Sequence, residues 1–347
     1  MDKLVDKFNR EINYLRISVT DRCNLRCVYC MPSSGILQRP HSQILTFEQI
    51  YKIVKIAVRL GISKVRITGG EPLVRKDLPC LIEKLKTING LKDLALTTNG
   101  IYLSEYAVLL KKCGLDRVNI SLDSLVPEKF EMLTRGGNLK TALGGIESAL
   151  AAGLSPLKIN IVLLRGFNTE EIPAFVNLAR ERPIEVRFIE YMPTGLPAFN
   201  LAGLDLSYEG LFFSCREAKA LCNSLGELIP IDGKQYQAAR IFRMRGFCGT
   251  LGFISPLSEP FCASCNKLRL TSEGRLRHCL HSSKAVNLKE TLESGISEEG
   301  LAFLIEEAVA LKPKSHNLSR YLTKKQDSRE ASSDSESENF SMCQIGG

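Results

Sequence analysis

The sequence contains no tryptophan, no phosphate-cradling P-loop and no long apolar run, and each absence narrows the choice. Without a Gly-x4-Gly-Lys-Ser/Thr segment, a bound nucleotide is not held as in P-loop proteins. No stretch approaches the roughly 18 consecutive apolar residues that a membrane span needs. The amino terminus, "MDKLVDKFNREINY", is charged and lacks the apolar segment of a secretory signal. The expected place is the cytoplasm, or an organelle reached by a signal already removed, with no membrane partner. The formal charge is +8, yet no dense run of Lys and Arg is interleaved with aromatics. A nucleic-acid platform is therefore disfavoured, and a polyanionic small molecule fits better.

Disulfides are not expected from the twelve cysteines, because a reducing compartment keeps thiols free. They divide unevenly. "DRCNLRCVYC" holds Cys23, Cys27 and Cys30 with no fourth ligand-like side chain close by. His41 is a lone candidate, read as a loop residue. A closed structural zinc site wants four protein ligands. Three thiolates on one loop instead suit a four-iron, four-sulfur cube whose remaining iron is left for a small molecule's amine and carboxylate. Cys262, Cys265 and Cys279 form a second group, with His278 and His281 flanking the last. On spacing alone, a Cys3His zinc site and an iron–sulfur cluster both remain open there. Cys80, Cys113, Cys215, Cys222 and Cys248 read as small buried hydrophobes, and Cys343, in a polar tail, as an exposed thiol.

From Tyr14 to Tyr191 a β-branched run, a polar loop and an amphipathic helix recur six times. The strands are "YLRISV", "KVRITG", "DLALTT", "RVNISL", "LKINIVLL" and "IEVRFIEY". In the helix "TFEQIYKIVKIAVRLG", Thr46 is the expected N-cap and Gly61 the stop. Such steps imply parallel strands with right-handed crossovers. Strands of a parallel sheet buried on both faces should be near-continuously apolar. These alternate, and one face carries Arg16, Lys64, Arg66, Lys158 and Arg187. A full eight-stranded barrel would fill its interior with Val, Ile and Leu. The pattern therefore predicts an α/β fold: an incomplete (β/α)6, TIM-like barrel with an open, cation-lined channel. The plain alternative is a solvated sheet face.

After Tyr191 the rhythm breaks at the Pro/Gly-rich "MPTGLPAFNLAGLDLS". A helical stretch in "YEGLFFSCREAKALCNSLG", strands "ARIFRMRG" and "TLGFIS", a hairpin turning at Glu273-Gly274 and a helix from Ser297 to Leu311 follow. The expected division is a partial barrel over 1–195, a smaller domain over 196–322 covering the open side, and a disordered tail over 323–347 ending in Gly346-Gly347.

These residues resemble the radical S-adenosylmethionine superfamily, whose hallmark is Cys-x3-Cys-x2-Cys with an aromatic, here Tyr29, before the last Cys. "LRISVTDRCNLRCVYCMP", "KVRITGGEPLVRKDL", "LTTNG", "VNISLDS", "RFIEYMP", "FCASCNKLRL" and the terminal Gly-Gly resemble its GTP 3′,8-cyclase family, which opens molybdenum cofactor biosynthesis. The resemblance implies two [4Fe-4S] clusters, the first on Cys23, Cys27 and Cys30 and the second on Cys262, Cys265 and Cys279. It implies contacts to S-adenosylmethionine from Tyr29, Gly70, Ser121 and Met192. GTP would be held by Arg16, Arg66, Thr97, Lys158 and the segment Lys267, Leu268, Arg269. A 5′-deoxyadenosyl radical would take the hydrogen from the ribose 3′ carbon, and the ribose radical would add to carbon 8 of guanine. The implied partners are cyclic pyranopterin monophosphate synthase, acting on the product, and an electron donor such as flavodoxin or ferredoxin. A homodimer is the family expectation.

Two departures stand out. Lys267 sits where many relatives carry Arg, exchanging a bidentate fork for a point charge. The connector lacks the Trp common there. The nearest alternative is another radical enzyme with an accessory cluster, acting on peptide or RNA.

Overall fold

The computed structural model describes residues 3–192, 208–231, 238–282 and 284–316. The connector over 193–207, the tail, Cys343 and Gly346-Gly347 lie outside the described residues.

The first half follows the expected alternation: β1 (Tyr14–Ser18), α1 (Phe47–Arg59), β2 (Lys64–Thr68), α2 (Leu78–Lys86), β3 (Asp93–Thr98), α3 (Leu103–Lys112), β4 (Arg117–Ser121), α4 (Pro127–Thr134), α5 (Leu139–Ala151), β5 (Leu157–Leu163), α6 (Ile172–Glu181) and β6 (Ile184–Glu190). Local chemistry fixes these boundaries. At the start of α1, Thr46 Oγ1 accepts from the Gln49 amide and Gln49 Oε1 accepts from the Thr46 amide, a closed capping box. Ile50, Ile53, Val54 and Ala57 then form one buried stripe. Gly61, with φ +114°, ends the run in a conformation that an L side chain rarely adopts.

The second half contributes α7 (Tyr208–Leu211), α8 (Cys215–Ser224), β7 (Ile229–Pro230), β8 (Arg240–Arg243), β9 (Thr250–Ile254), β10 (Lys267–Leu270), β11 (Arg275–Arg277), β12 (Ala285–Asn287), α9 (Leu288–Glu293) and α10 (Glu298–Ala310). The helical stretch around Phe212 breaks into two helices. Ser214 starts the second with its own capping box to Glu217, which satisfies amides that one continuous helix would have bonded internally. Gly274 makes the hairpin turn between β10 and β11 with φ +87°.

β1 to β6 pair parallel, each with its sequence neighbour. Among the described residues, the second half builds no separate sheet. β9 lies parallel against β6 and β10 parallel against β1, so both edges of the partial barrel are extended. The resulting sheet runs β12-β11-β10-β1-β2-β3-β4-β5-β6-β9-β8-β7, and its outermost strands do not pair with each other. The barrel is open, as the alternating strands predicted.

In β5 the side chains of Leu157, Ile159, Ile161 and Leu163 are buried under the helices, while Lys158, Asn160 and Val162 are half-buried on the other face. The cysteine expectation needs correction. Cys215 and Cys222 are buried and Cys113 is half-buried, but Cys80 and Cys248 are exposed. Cys80 lies on the solvent side of α2, whose Leu78, Leu81, Ile82 and Leu85 face the core. Among the described residues, no helix is long and apolar enough to cross a membrane.

Candidate functional site

Parallel register decides which side chains meet on the open face. Arg269, Arg16 and Arg66 are level on β10, β1 and β2. Adjacent strands are about 4.8 Å apart, so three guanidinium groups leave the sheet side by side. One step back along the strands, Lys267, Tyr14 and Lys64 form a second row. Across the sheet, Asn160 on β5 is level with Arg187 on β6. These cations, with Lys158, face a cavity of about 590 Å³.

Like charges so close, and so buried, disfavour one another's charged form. Burial, then neighbouring Arg269 and Arg66, push the Arg16 guanidinium well below its ordinary pKa. Burial, with Arg117 and Arg187 nearby, pushes Arg66 down to about 10. Arg66 Nε and Thr97 Oγ1 are buried without a hydrogen-bond partner in the structure. Buried polar groups are normally satisfied, so two orphans at one cavity wall mark a place for an acceptor-rich guest.

Two acids offset part of this charge. Glu185 Oε2 lies 2.9 Å from Lys158 Nζ, and the same carboxylate accepts from Arg187 Nε. Asp93 holds Arg117 through two contacts of 2.9 and 2.6 Å. Arg117 and Glu185 were missed although strand parity marks both. Glu185 is two residues before Arg187, and Arg117 two before Asn119, on the same face. Leu268 also needs correction. Its side chain is buried among the core residues on the face opposite Lys267 and Arg269, because alternate residues of β10 point apart, so only its backbone is near the cavity.

Cys23, Cys27 and Cys30 occupy the loop after β1, at the carboxyl end of the sheet, and all three border the cavity. The loop "TGGEP" after β2 packs directly on it: the Gly70 amide donates to Thr20 O at 2.8 Å and the Glu71 amide to Arg22 O at 2.8 Å. A Cβ on Gly70 would lie 2.2 Å from Arg22 O, so only glycine permits this approach. The Glu71 side chain accepts from the Leu73 and Asn99 amides and from Thr98 Oγ1, joining this loop to "LTTNG". Burial outweighs these bonds and lifts its carboxyl to about 7. The Tyr29 hydroxyl donates to Asp123, whose other oxygen accepts from the Val162 amide at 2.8 Å. Ser121 and Met192 border the same cavity.

Cys262, Cys265 and Cys279 border it too, from the turn before β10 and the segment after β11. His278 and His281 lie beside them, both held neutral chiefly by burial, with pKa values near 4 and 3. Among the described residues, no three His, Cys, Asp or Glu side chains form a set that would hold a metal ion as they stand. Each trio presents three thiols at the wall of one cavity. That donor set fits a [4Fe-4S] cluster with one iron left to a non-protein ligand. Every predicted site residue except the Leu268 side chain thus converges on one space.

Residues 17–179 match the radical SAM superfamily, and residues 184–318 match the Molybdenum Cofactor Synthesis C family. A GTP 3′,8-cyclase of Petrotoga mobilis is 46% identical over 314 residues, covering 90% of this chain and 95% of the relative. That of Pelotomaculum thermopropionicum is 47% identical with the same coverage. In fold, the chain is similar to Streptococcus suis SuiB bound to S-adenosylmethionine, with a TM-score of 0.58, 17% identity, and 82% and 65% of the two chains covered.

Proposed function

The chain belongs to the GTP 3′,8-cyclase family of radical SAM proteins, and from this we propose how its cavity works. It converts GTP and S-adenosylmethionine to 3′,8-cyclo-7,8-dihydro-GTP, 5′-deoxyadenosine and methionine, the first step of molybdenum cofactor biosynthesis. The observation that carries the reading is the in-register arginine row, Arg269–Arg16–Arg66, on a cavity that both cysteine trios also line.

Cys23, Cys27 and Cys30 hold one cluster, and Cys262, Cys265 and Cys279 the other. The first, with S-adenosylmethionine, supplies a carbon-centred radical when bound. The protein's own work is placement. Arg16 and Arg66, with Lys64, Lys158 and Arg187, hold the triphosphate through charge-assisted contacts about twice as strong as neutral ones. Arg66 Nε and Thr97 Oγ1 gain their missing partners. Lys267 and Arg269, at the edge nearer the second trio, orient the base end. Tyr29, Gly70, Ser121 and Met192 position the cosubstrate at the first trio. With both substrates in place the walls exclude water from the reacting ribose. Product passes to cyclic pyranopterin monophosphate synthase. A flavodoxin or ferredoxin delivers electrons to a cytoplasmic homodimer.

Anaerobic incubation with reductant, S-adenosylmethionine and GTP tests the assignment. We expect 5′-deoxyadenosine and the cyclised nucleotide in equal amounts, and Arg16→Ala to weaken GTP binding while both clusters stay assembled. Loss of iron in Arg16→Ala would show that the residue had been misassigned.

A further inference from the structure

Two buried cations outside the arginine row point at the second trio from behind. Lys312 lies just past α10 and is 2% exposed. Its ammonium donates to Lys267 O at 2.9 Å and to His278 O at 2.6 Å. Lys267 follows Cys265 by two residues, and the His278 carbonyl belongs to the peptide bond that joins Cys279. One side chain thus clasps the segments that carry two of the three thiols. Arg10, also buried, clasps the third. Its Nη1 donates to Cys262 O at 2.8 Å and to Lys314 O at 3.1 Å, and its Nη2 to Pro313 O at 2.7 Å. The amino-terminal arm and the segment after α10 are therefore locked together around the cysteine loops.

The two cations differ in one respect. Arg10 is neutralised by Asp6, whose Oδ2 accepts from its Nε at 2.6 Å. Lys312 has no carboxylate partner among the described residues; its ammonium bonds to two backbone carbonyls. A buried, unneutralised ammonium is costly unless a negative charge is supplied from elsewhere. The cavity wall that Lys312 shares with Cys265 and Cys279 is where that charge would come.

We propose that Lys312 is the positioning residue of the second cluster, clasping two of its three ligand segments and supplying the positive charge that sets its reduction potential. This rests on the reading that Cys262, Cys265 and Cys279 hold a cluster. Cluster potentials follow net charge and nearby hydrogen bonds, and partners behind metal ligands commonly govern metal retention. Removing a cation beside a cluster disfavours the added electron, so the potential falls.

The experiment uses the full chain, reconstituted anaerobically with iron and sulfide, as Lys312→Met and Lys312→Arg. Iron is counted, and midpoint potentials are read by electron paramagnetic resonance, separating the cluster that responds to S-adenosylmethionine from the one that responds to GTP. In Lys312→Met we expect the GTP-responsive cluster either to be lost or to shift negative by at least tenfold in its reduction equilibrium, about 59 mV for one electron. The other cluster should be unchanged, and Lys312→Arg should stay near the unmodified protein. An unchanged potential with full iron would overturn the proposal, as would Arg behaving like Met. Equal loss of both clusters would also overturn it, making Lys312 a general fold residue. Cys279→Ser separates the premise: full iron in that variant would sink the cluster assignment itself, whatever Lys312 does.

Discussion

The Glu185 carboxylate is shared: Lys158 Nζ stands 2.9 Å from one oxygen while Arg187 donates to the other. One acid holds two cations of the cavity wall in place. It keeps the pocket charged without leaving it unstable.

Glu185→Gln removes that counter-charge. The free protein should lose about 1–3 kcal/mol, the cost of leaving partly buried charged groups without their acceptor. GTP should restore most of the loss, because phosphate oxygens replace the carboxylate. Thermal melts with and without GTP check this, and an equal deficit in both conditions would refute it.

Lys158 gives the pocket a pH dependence. Burial, then Arg187, lowers its ammonium to about 8, against the pull of Glu185. A base with a depressed pKa is charged below that value and neutral above it. GTP affinity should therefore be highest below pH 8 and fall as pH rises through it, with proton uptake on binding near pH 8. Calorimetry in buffers of different ionisation enthalpy measures that uptake. Lys158→Arg should make that fall shallower, leaving Lys267, which burial also lowers to about 8, as the remaining lysine that titrates there.

Gly70→Ala forces a methyl group to 2.2 Å from Arg22 O, a backbone atom that cannot step aside like a flexible side chain. Separating the two loops should cost about 1–3 kcal/mol and reduce 5′-deoxyadenosine formation at least tenfold. Gly144→Ala is the control. Its Cβ meets only Ser104 Oγ, at 3.4 Å, within α5, where alanine is favoured over glycine by about 1 kcal/mol. It should be neutral or stabilising in the same assays.

Cys279→Ser should lower the iron content from about eight to about four per chain. Cleavage of S-adenosylmethionine should persist, since the first trio is untouched, while the cyclised product disappears. Product at the unmodified level would remove the second trio from substrate placement.

Much of this was legible in sequence because period and face are local properties. The six strands, the Thr46 cap, the Gly61 stop and the side of the sheet that carries Arg16, Lys64, Arg66, Lys158 and Arg187 follow from alternation and capping alone. The cysteine spacing and the family motifs supplied the two trios. Other features were in the letters but were not decisive. Glu185 shares the parity of Arg187, yet nothing local says that its carboxylate bridges to a lysine on the neighbouring strand.

Register and long-range contact belong to the tertiary structure alone. That Arg269, from the far end of the chain, lies level with Arg16 and Arg66 depends on β10 pairing with β1 across some 250 residues. That Lys312 and Arg10 close on the same cysteine loops depends on the two ends of the described chain meeting there. Local sequence fixes which way a side chain points, because strand and helix periods are set by the backbone. It does not fix which distant side chain stands opposite, because that partner is chosen by the packing of the whole fold.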